Sequence, residues 1–558
     1  MSEPNFRIYS TGHSYVGVPF YYIESTAPDN VDEQNLEEKR PPKYLSKSED
    51  PNLALKAIAE QLLPEAAPAD GASLVVMVHG FNTPFENAVN TYEVAAEALI
   101  ADKDKIFTAD RRVVCIGYRW PSEKIGSNWR SSLSALPKLP QILLGTGVLF
   151  LLFRLFLFHG DQTALVSFLL QAGVFIALSL IVITIVGIVL RAIVYFRDIY
   201  RATNYGVSDL VQIIRLIDFE ASNRIAKDKR AFGQRRRIAL SFIGHSMGGL
   251  VVTNVIRTLT DVFDSESNVQ TASGANTGYA ADSSDVFEQI PARVGHVFEL
   301  MRFIVVSPDI PAEALLARRG NFLQSSLRRF KEAYLFSNEG DVVLRLISTV
   351  ANYFSFPTLK NRSGYRLGNT EILSNSYGEV SVNGSEQLLE ILRVGSNKLS
   401  ELSRTTAQSR TAKEAAKVAD AFSYFDCTDY VEDHRGMLTL ASKCKARDPE
   451  GAISYIEYAR LLLRYLFLSP NEPKSKYVNV HGGYFYGQTT KGLIYRLACL
   501  GYDDTVAVYG GEAAIFAKCN EHQIRVLISR RLRRKGSVGR NRTELIDSSL
   551  TKEDPPTV

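Results

Sequence analysis

Residues Ile238-Ala-Leu-Ser-Phe-Ile243 form a short apolar run that halts at Gly244-His245-Ser246-Met247-Gly248, and Leu250-Val-Val-Thr-Asn-Val-Ile256 resumes at helical spacing. A strand, a turn and a helix are thus expected within twenty residues. The two flanking glycines permit a turn too tight for a Cβ, so Ser246 is placed on a strained strand-to-helix turn with its Oγ exposed. The positive end of the following helix and the Met247 N–H lie beneath it, and both favour negative charge on a reacting acyl group. Glycine and serine are common residues, so the pentapeptide alone is a weak signal. Its position between a buried strand and a helix is what gives it meaning.

A second strand ends in a similar way. Leu74-Val-Val-Met-Val-His79-Gly80-Phe81-Asn82 is an apolar run closing on a His-Gly turn, followed by a helix over Pro84 to Ile100. A third run, Arg111-Arg-Val-Val-Cys-Ile-Gly-Tyr-Arg-Trp120, ends at Trp120-Pro121. Near-continuous apolar runs of this length suit the interior strands of a parallel sheet covered on both faces.

Taken together, His79-Gly80-Phe81-Asn82, Gly117-Tyr118-Arg119-Trp120-Pro121 and Gly244-His245-Ser246-Met247-Gly248 resemble the α/β-hydrolase superfamily. Within it, the chain is most similar to a poorly characterised group of bacterial serine-esterase-like proteins. The similarity spans about residues 70 to 125 and 200 to 345 and a patch near 481, and it is unspecific for substrate. It implies a mostly parallel central sheet flanked by helices and a nucleophile, acid and histidine in that chain order. It also implies an oxyanion hole built from the Met247 N–H and an N–H just past the His-Gly pair, for which Phe81 is the candidate. His79 is read as a brace for its loop rather than as a catalytic group.

The acid is sought after a strand beyond the nucleophile. Asp341, in Ser337-Asn-Glu-Gly-Asp341 after the run Glu332 to Phe336, resembles the family's acid turn. Asp309 is the competitor, ending the Phe303 to Asp309 strand, where it could cap a helix beginning near Pro311. Glu339 is a third possibility. His481, in Tyr477-Val-Asn-Val-His481-Gly-Gly-Tyr-Phe485, is the expected general base, with His434 as its rival. The family's histidine usually stands just before an aromatic pair, whereas here two glycines intervene before Tyr484 and Phe485. His522 falls at a polar helix end and carries no expected role. No metal or other cofactor is implied.

At 558 residues the chain exceeds one ordinary core, so insertions are expected. The most conspicuous lies between the Cys115 strand and a helix over Asn204 to Phe219. Leu139 to Phe158 is almost wholly apolar, with Arg154 as its interior charge, and Ala164 to Leu190 is a second such run. About twenty helical residues match the ~30 Å of a bilayer core, so 139–190 reads as a transmembrane helical hairpin. Lys124, Arg130 and Lys138 precede it and Arg191, Arg197 and Arg201 follow, while the connecting turn carries only Asp161. The positive-inside rule then puts both ends and the catalytic domain on the cytoplasmic side. Met1-Ser-Glu-Pro-Asn-Phe-Arg7 has neither the basic start nor the apolar run of a secretory signal. Five cysteines (Cys115, Cys427, Cys444, Cys499 and Cys519), an odd count without a CxxC, favour a reducing environment for the soluble parts.

The resulting organisation is an edge hairpin and helix over 1–70, with a polar, charged loop from Asp29 to Asp50. A first part of the core follows over 71–135, then the hairpin over 139–190 and a second core part over 200–345. Cap-like helical insertions and final core elements fill 346–500, with Phe422 to Cys427 as the last strand. A C-terminal extension occupies 501–558. Asp264 to Asp285 reads as a loop without chemistry. The tail carries Arg530-Arg531-Leu532-Arg533-Arg534-Lys535, Arg540 and Arg542, which could meet anionic lipid headgroups. A net charge of +4 without a recognition motif gives no support for nucleic-acid binding. The expected function is a membrane-anchored serine hydrolase cleaving an acyl ester of a lipid or lipidated substrate. A non-catalytic membrane-bound scaffold and an acyltransferase are the alternatives.

Overall fold

The computed structural model describes residues 5–11, 19–27, 45–47, 50–64, 71–81, 83, 85–108, 111–122, 194–227, 237–262, 293–311, 314, 322–348, 366–372, 380–382, 422–432, 435–436, 480–529 and 532. Eleven strands of the main sheet lie among them. In chain order they are β1 Phe6–Thr11, β2 Phe20–Ser25, β3 Leu45–Lys47, β4 Ala72–Val78, β5 Arg112–Arg119 and β6 Ile238–His245. They continue with β7 Arg293–Val294, β8 Phe298–Val306, β9 Glu332–Ser337, β10 Ser423–Asp426 and β11 Arg525–Leu527.

The spatial order is β11-β10-β9-β8-β6-β4-β5-β2-β1-β3, with the short β7 also paired to β8. From β10 to β2 every neighbouring pair is parallel. Only the edges and β7 run antiparallel: β1 on β2, β3 on β1, β11 on β10 and β7 on β8.

Alternation within the strands explains why their sequences look apolar throughout. Leu74, Val76 and Val78 of β4 face one side, where they share a core with Val114, Ile116, Leu240 and Phe242. Helices Pro51–Leu62, Val207–Lys227 and Met247–Arg257 cover that side through Leu55, Ile58, Leu210, Ile214, Val251 and Val255. Val75 and Met77 point the other way, with Cys115, Ile243, Ile304 and Phe336. That side is covered by helices Phe85–Ala101 and Gln488–Leu500, through Val89, Leu99, Leu493 and Leu497. A parallel strand buried on both faces can carry no polar alternation.

The chain reverses its direction of travel across the sheet at β4. It steps from β4 to β5 on one side, then returns to lay β6, β8, β9 and β10 on the other. In open sheets of this kind, functional residues gather at the carboxyl ends of the strands where such a reversal occurs, which here is between β4 and β6. His79 follows β4 and Ser246 follows β6.

Several expectations need correction. The polar loop over 29–50 contains β3, which extends the edge beyond β1. The Phe422–Cys427 run is not the last strand, because β11 adds on its far side in the opposite direction. Residues 502–532 are therefore no appendage: Tyr502, Ile515, Cys519, Ile524, Ile528 and Leu532 join the core on the Met77 side. The helix expected over 204–219 starts with a wider turn at Ala202–Gly206 and runs on from Val207 to Lys227. Among the described residues no helix is long and apolar enough to cross a membrane. The 139–190 hairpin, His434, the 264–285 loop and nearly all of the basic tail lie outside the described residues.

Candidate active site

The turn at Ser246 has the strain that its neighbours foretell. Ser246 adopts φ 52° and ψ −123°, a left-handed conformation that non-glycine residues rarely hold. Three glycines make room for it. A Cβ on Gly244 would lie 2.7 Å from Gly249 Cα, and one on Gly248 would lie 2.3 Å from Val78 O. One on Gly80 would lie 2.7 Å from Ser246 Cβ, so the His-Gly turn after β4 rests directly on the serine. The turn is pinned by Ser246 N–H donating to Val306 O at 2.9 Å and by Asp309 N–H donating to Ser246 O at 3.0 Å.

Ser246 itself departs from expectation in one respect. Its exposure is 1 %, where an open hydroxyl was anticipated. The close-packed Gly80 turn on one side accounts for part of this burial. The hydroxyl does not cap the helix that it starts, and among the described residues no hydrogen bond joins it to His481. Hydrogen bonds to a catalytic nucleophile are often long in unliganded sites and tighten around substrate.

Asp341 and His481 come together although 140 positions separate them. His481 Nδ1 lies 2.6 Å from Asp341 Oδ2. The other carboxylate oxygen accepts from the amides of Val343 at 3.0 Å and Leu344 at 3.2 Å, which fixes the orientation of the group. Asn338 ties the two loops: its side-chain amide donates to Val480 O at 2.8 Å, and its Oδ1 accepts from Gly340 N–H at 2.9 Å. Burial opposes protonation of the His481 ring, but the charge and hydrogen bond of Asp341, with Asp309 contributing, outweigh it and hold the imidazole above its ordinary value.

His245 links His481 to the strand that leads into Ser246. Its ring lies 5.0 Å from that of His481, and its Nε2 is 3.1 Å from His481 O. Burial, reinforced by the nearby His481, lowers its pKa to about 3, so the ring is neutral and Nε2–H can donate to that carbonyl. The residue before Ser246 thus positions the backbone of His481.

Ser307 was not anticipated from the sequence. It ends β8 in the left-handed region, with φ 45°, and its hydroxyl donates to Asp341 Oδ2 while standing 3.5 Å from His481 Nδ1. Only its place one residue before Pro308 hints at an unusual backbone, since a residue before proline is restricted. Tyr484, two residues beyond Gly482, is fully buried beside this group, and burial raises its hydroxyl well above the ordinary value.

The remaining candidates are placed elsewhere. The Asp309 carboxylate does not cap a helix: it lies 3.1 Å from Arg366 Nε and accepts from Ser348 Oγ at 3.0 Å, all three buried. Glu339 is buried in the acid turn, its amide donating to Thr428 Oγ1 at 3.0 Å. His79 is wedged between Gly80 O at 2.7 Å and Trp120 O at 3.2 Å and stacks on the Trp120 ring at 5.0 Å. Burial, with Arg119 adding to it, lowers its pKa to about 3. Phe81 packs its ring on Tyr195 at 5.7 Å. Among the described residues neither the Phe81 nor the Met247 amide finds a protein acceptor. His522 ends the Glu512–Glu521 helix, with Nδ1 3.0 Å from Val431 O.

Among the described residues no three His, Cys, Asp or Glu side chains cluster as a metal site. Comparison with known protein families, with curated proteins and with solved structures finds no match to the chain.

Proposed function

We propose that this protein is a serine hydrolase of the α/β-hydrolase fold, held at a membrane by the 139–190 hairpin with its catalytic domain on the cytoplasmic side. The observation that carries the reading is the Asp341–His481 pair, bonded at 2.6 Å at the sheet edge that also bears Ser246 in its strained turn. The nucleophile follows β6, the acid β9 and the histidine β10, which is the chain order that such hydrolases use.

In this reading Ser246 Oγ attacks the carbonyl carbon of an acyl ester as His481 takes its proton. Asp341 keeps Nδ1 protonated and steadies the imidazolium that forms. The Phe81 and Met247 amides receive the oxyanion. His481 then returns the proton to the departing alcohol, and water repeats the sequence to free the acid.

A second reading, a membrane-bound scaffold without turnover, is favoured by one observation, the closed hydroxyl of Ser246. A fluorophosphonate probe decides between them. Labelling of the wild type that disappears in Ser246→Ala supports the hydrolase, and a wild type that stays unlabelled supports the scaffold.

A further inference from the structure

The 71 residues between Ser122 and Val194 leave and re-enter the described fold at the same place. Ser122 Oγ donates to Asp198 Oδ2 at 2.8 Å and accepts from Thr83 N–H at 3.2 Å. The first helix after the segment therefore shares a residue with the loop that begins at His79. Tyr195 completes the junction by packing on Phe81, the oxyanion candidate.

Chain length makes this junction informative. The second apolar run ends at Leu190, only five residues before Tyr195. Even fully extended, five residues reach no more than about 18 Å. The polar zone on each side of the bilayer core is about 5–8 Å thick. If Leu190 marks the end of a span, Tyr195 lies within about 18 Å of the hydrocarbon edge, and the Phe81 loop on which it packs is held close to the membrane surface. The helix at this junction also shows water two aromatic side chains, Phe196 at 37 % and Tyr200 at 55 % exposure. Aromatic residues are enriched at that interface. Ser246, meanwhile, is shut off from bulk water.

We propose that the acyl donor is a glycerolipid of the bilayer itself, presented to Ser246 at the membrane surface rather than arriving through water. This rests on the hydrolase and hairpin readings above. The lipid's acyl carbon bonds to Ser246 Oγ, the glycerol oxygen leaves with a proton from His481, and water then releases the fatty acid. The products are one lysolipid and one fatty acid per water consumed.

The test uses the full chain in phosphatidylcholine vesicles bearing a fluorescent-acyl phospholipid, with p-nitrophenyl butyrate as a soluble ester. A flexible Gly/Ser insert of about twelve residues after Leu190 frees the domain to drift from the surface. The expected result is vesicle-lipid hydrolysis falling by about tenfold or more, with soluble-ester turnover unchanged. Soluble turnover with intact vesicle lipid, release of acyl groups only from an added S-acylated peptide, or an insert without effect on either substrate would overturn this proposal alone. Loss of all Ser246-dependent turnover in the wild type would sink the hydrolase reading and this one with it. Placement is read separately by Phe196→Trp, whose added fluorescence should be quenched by brominated lipids. An unquenched tryptophan overturns the proposal whatever the activity.

Discussion

His79 is a buried imidazole and His481 a partly buried one at the carboxyl edge of the same sheet, yet their environments drive them in opposite directions. His79 meets two carbonyl oxygens and the face of Trp120, and burial pushes its pKa down to about 3. His481 meets the Asp341 carboxylate, which reverses the effect of burial. Burial alone makes a histidine a neutral brace. A carboxylate opposite Nδ1 turns the same ring into a base that can hold a second proton.

The strongest way to break this contrast is to remove each ring. His481→Ala, like Ser246→Ala, should lower kcat by about 10⁴-fold or more while leaving the melting temperature nearly unchanged. His79→Ala should cost about 1–3 kcal/mol of stability through the lost stack on Trp120 and the one hydrogen bond that its neutral ring donates, with a much smaller loss of kcat. Comparable kcat losses from both would abolish the distinction. Denaturant melts and steady-state rates on the same preparations measure it.

A second comparison concerns the two carboxylates. Asp341→Asn should lower kcat by about 10⁴-fold. Asp309→Asn should instead weaken the fold by about 3–5 kcal/mol, because Arg366 is left buried without its charge partner. If Asp309→Asn lowers kcat as far as Asp341→Asn with stability intact, the acid has been misassigned.

Titration sharpens the comparison. The base must be neutral to take the Ser246 proton, so activity is present above the folded pKa of His481 and is lost as pH falls through it. Since that pKa is raised, the acid limb of kcat/KM should lie above 6.5, the ordinary histidine value. In Asp341→Asn the limb should move down. A limb at or below the ordinary value in the wild type would contradict the pairing.

The smallest expected effect belongs to Ser307→Ala. Its hydroxyl shares Asp341 Oδ2 with His481, so its loss leaves the carboxylate charge less shielded. A fall of a few-fold in kcat is expected, about 1 kcal/mol for one hydrogen bond, with the acid limb displaced upward. A stability loss with an unmoved limb would make Ser307 purely structural.

What could be read from the sequence was whatever local pattern controls. β4, β5 and β6 are apolar on both faces, and such runs predict interior parallel strands whatever surrounds them. Ser246, Asp341 and His481 each stand in a turn or loop rich in glycine, where the residue types signal chemistry. The missed features are set by distant contacts. Leu45–Lys47 and Arg525–Leu527 are three-residue strands defined by the backbone edge that they meet, not by their side chains. Ser307 looks like any strand-end serine until Asp341 arrives from the next strand. The burial of Ser246 likewise depends on Gly80, 166 positions earlier.

The edge strand Arg525–Leu527 has a bearing on biosynthesis. It seals β10, and the helices before it cover the side of the sheet on which Tyr484 packs, so the His481 loop is flanked by some of the last described residues to leave the ribosome. A nascent chain can form the Ser246 turn early, but it cannot pair Asp341 with His481 until translation has passed residue 481. On the proposed reading, products ending between Ser246 and His481 would carry the serine turn without its proton relay and would be catalytically silent.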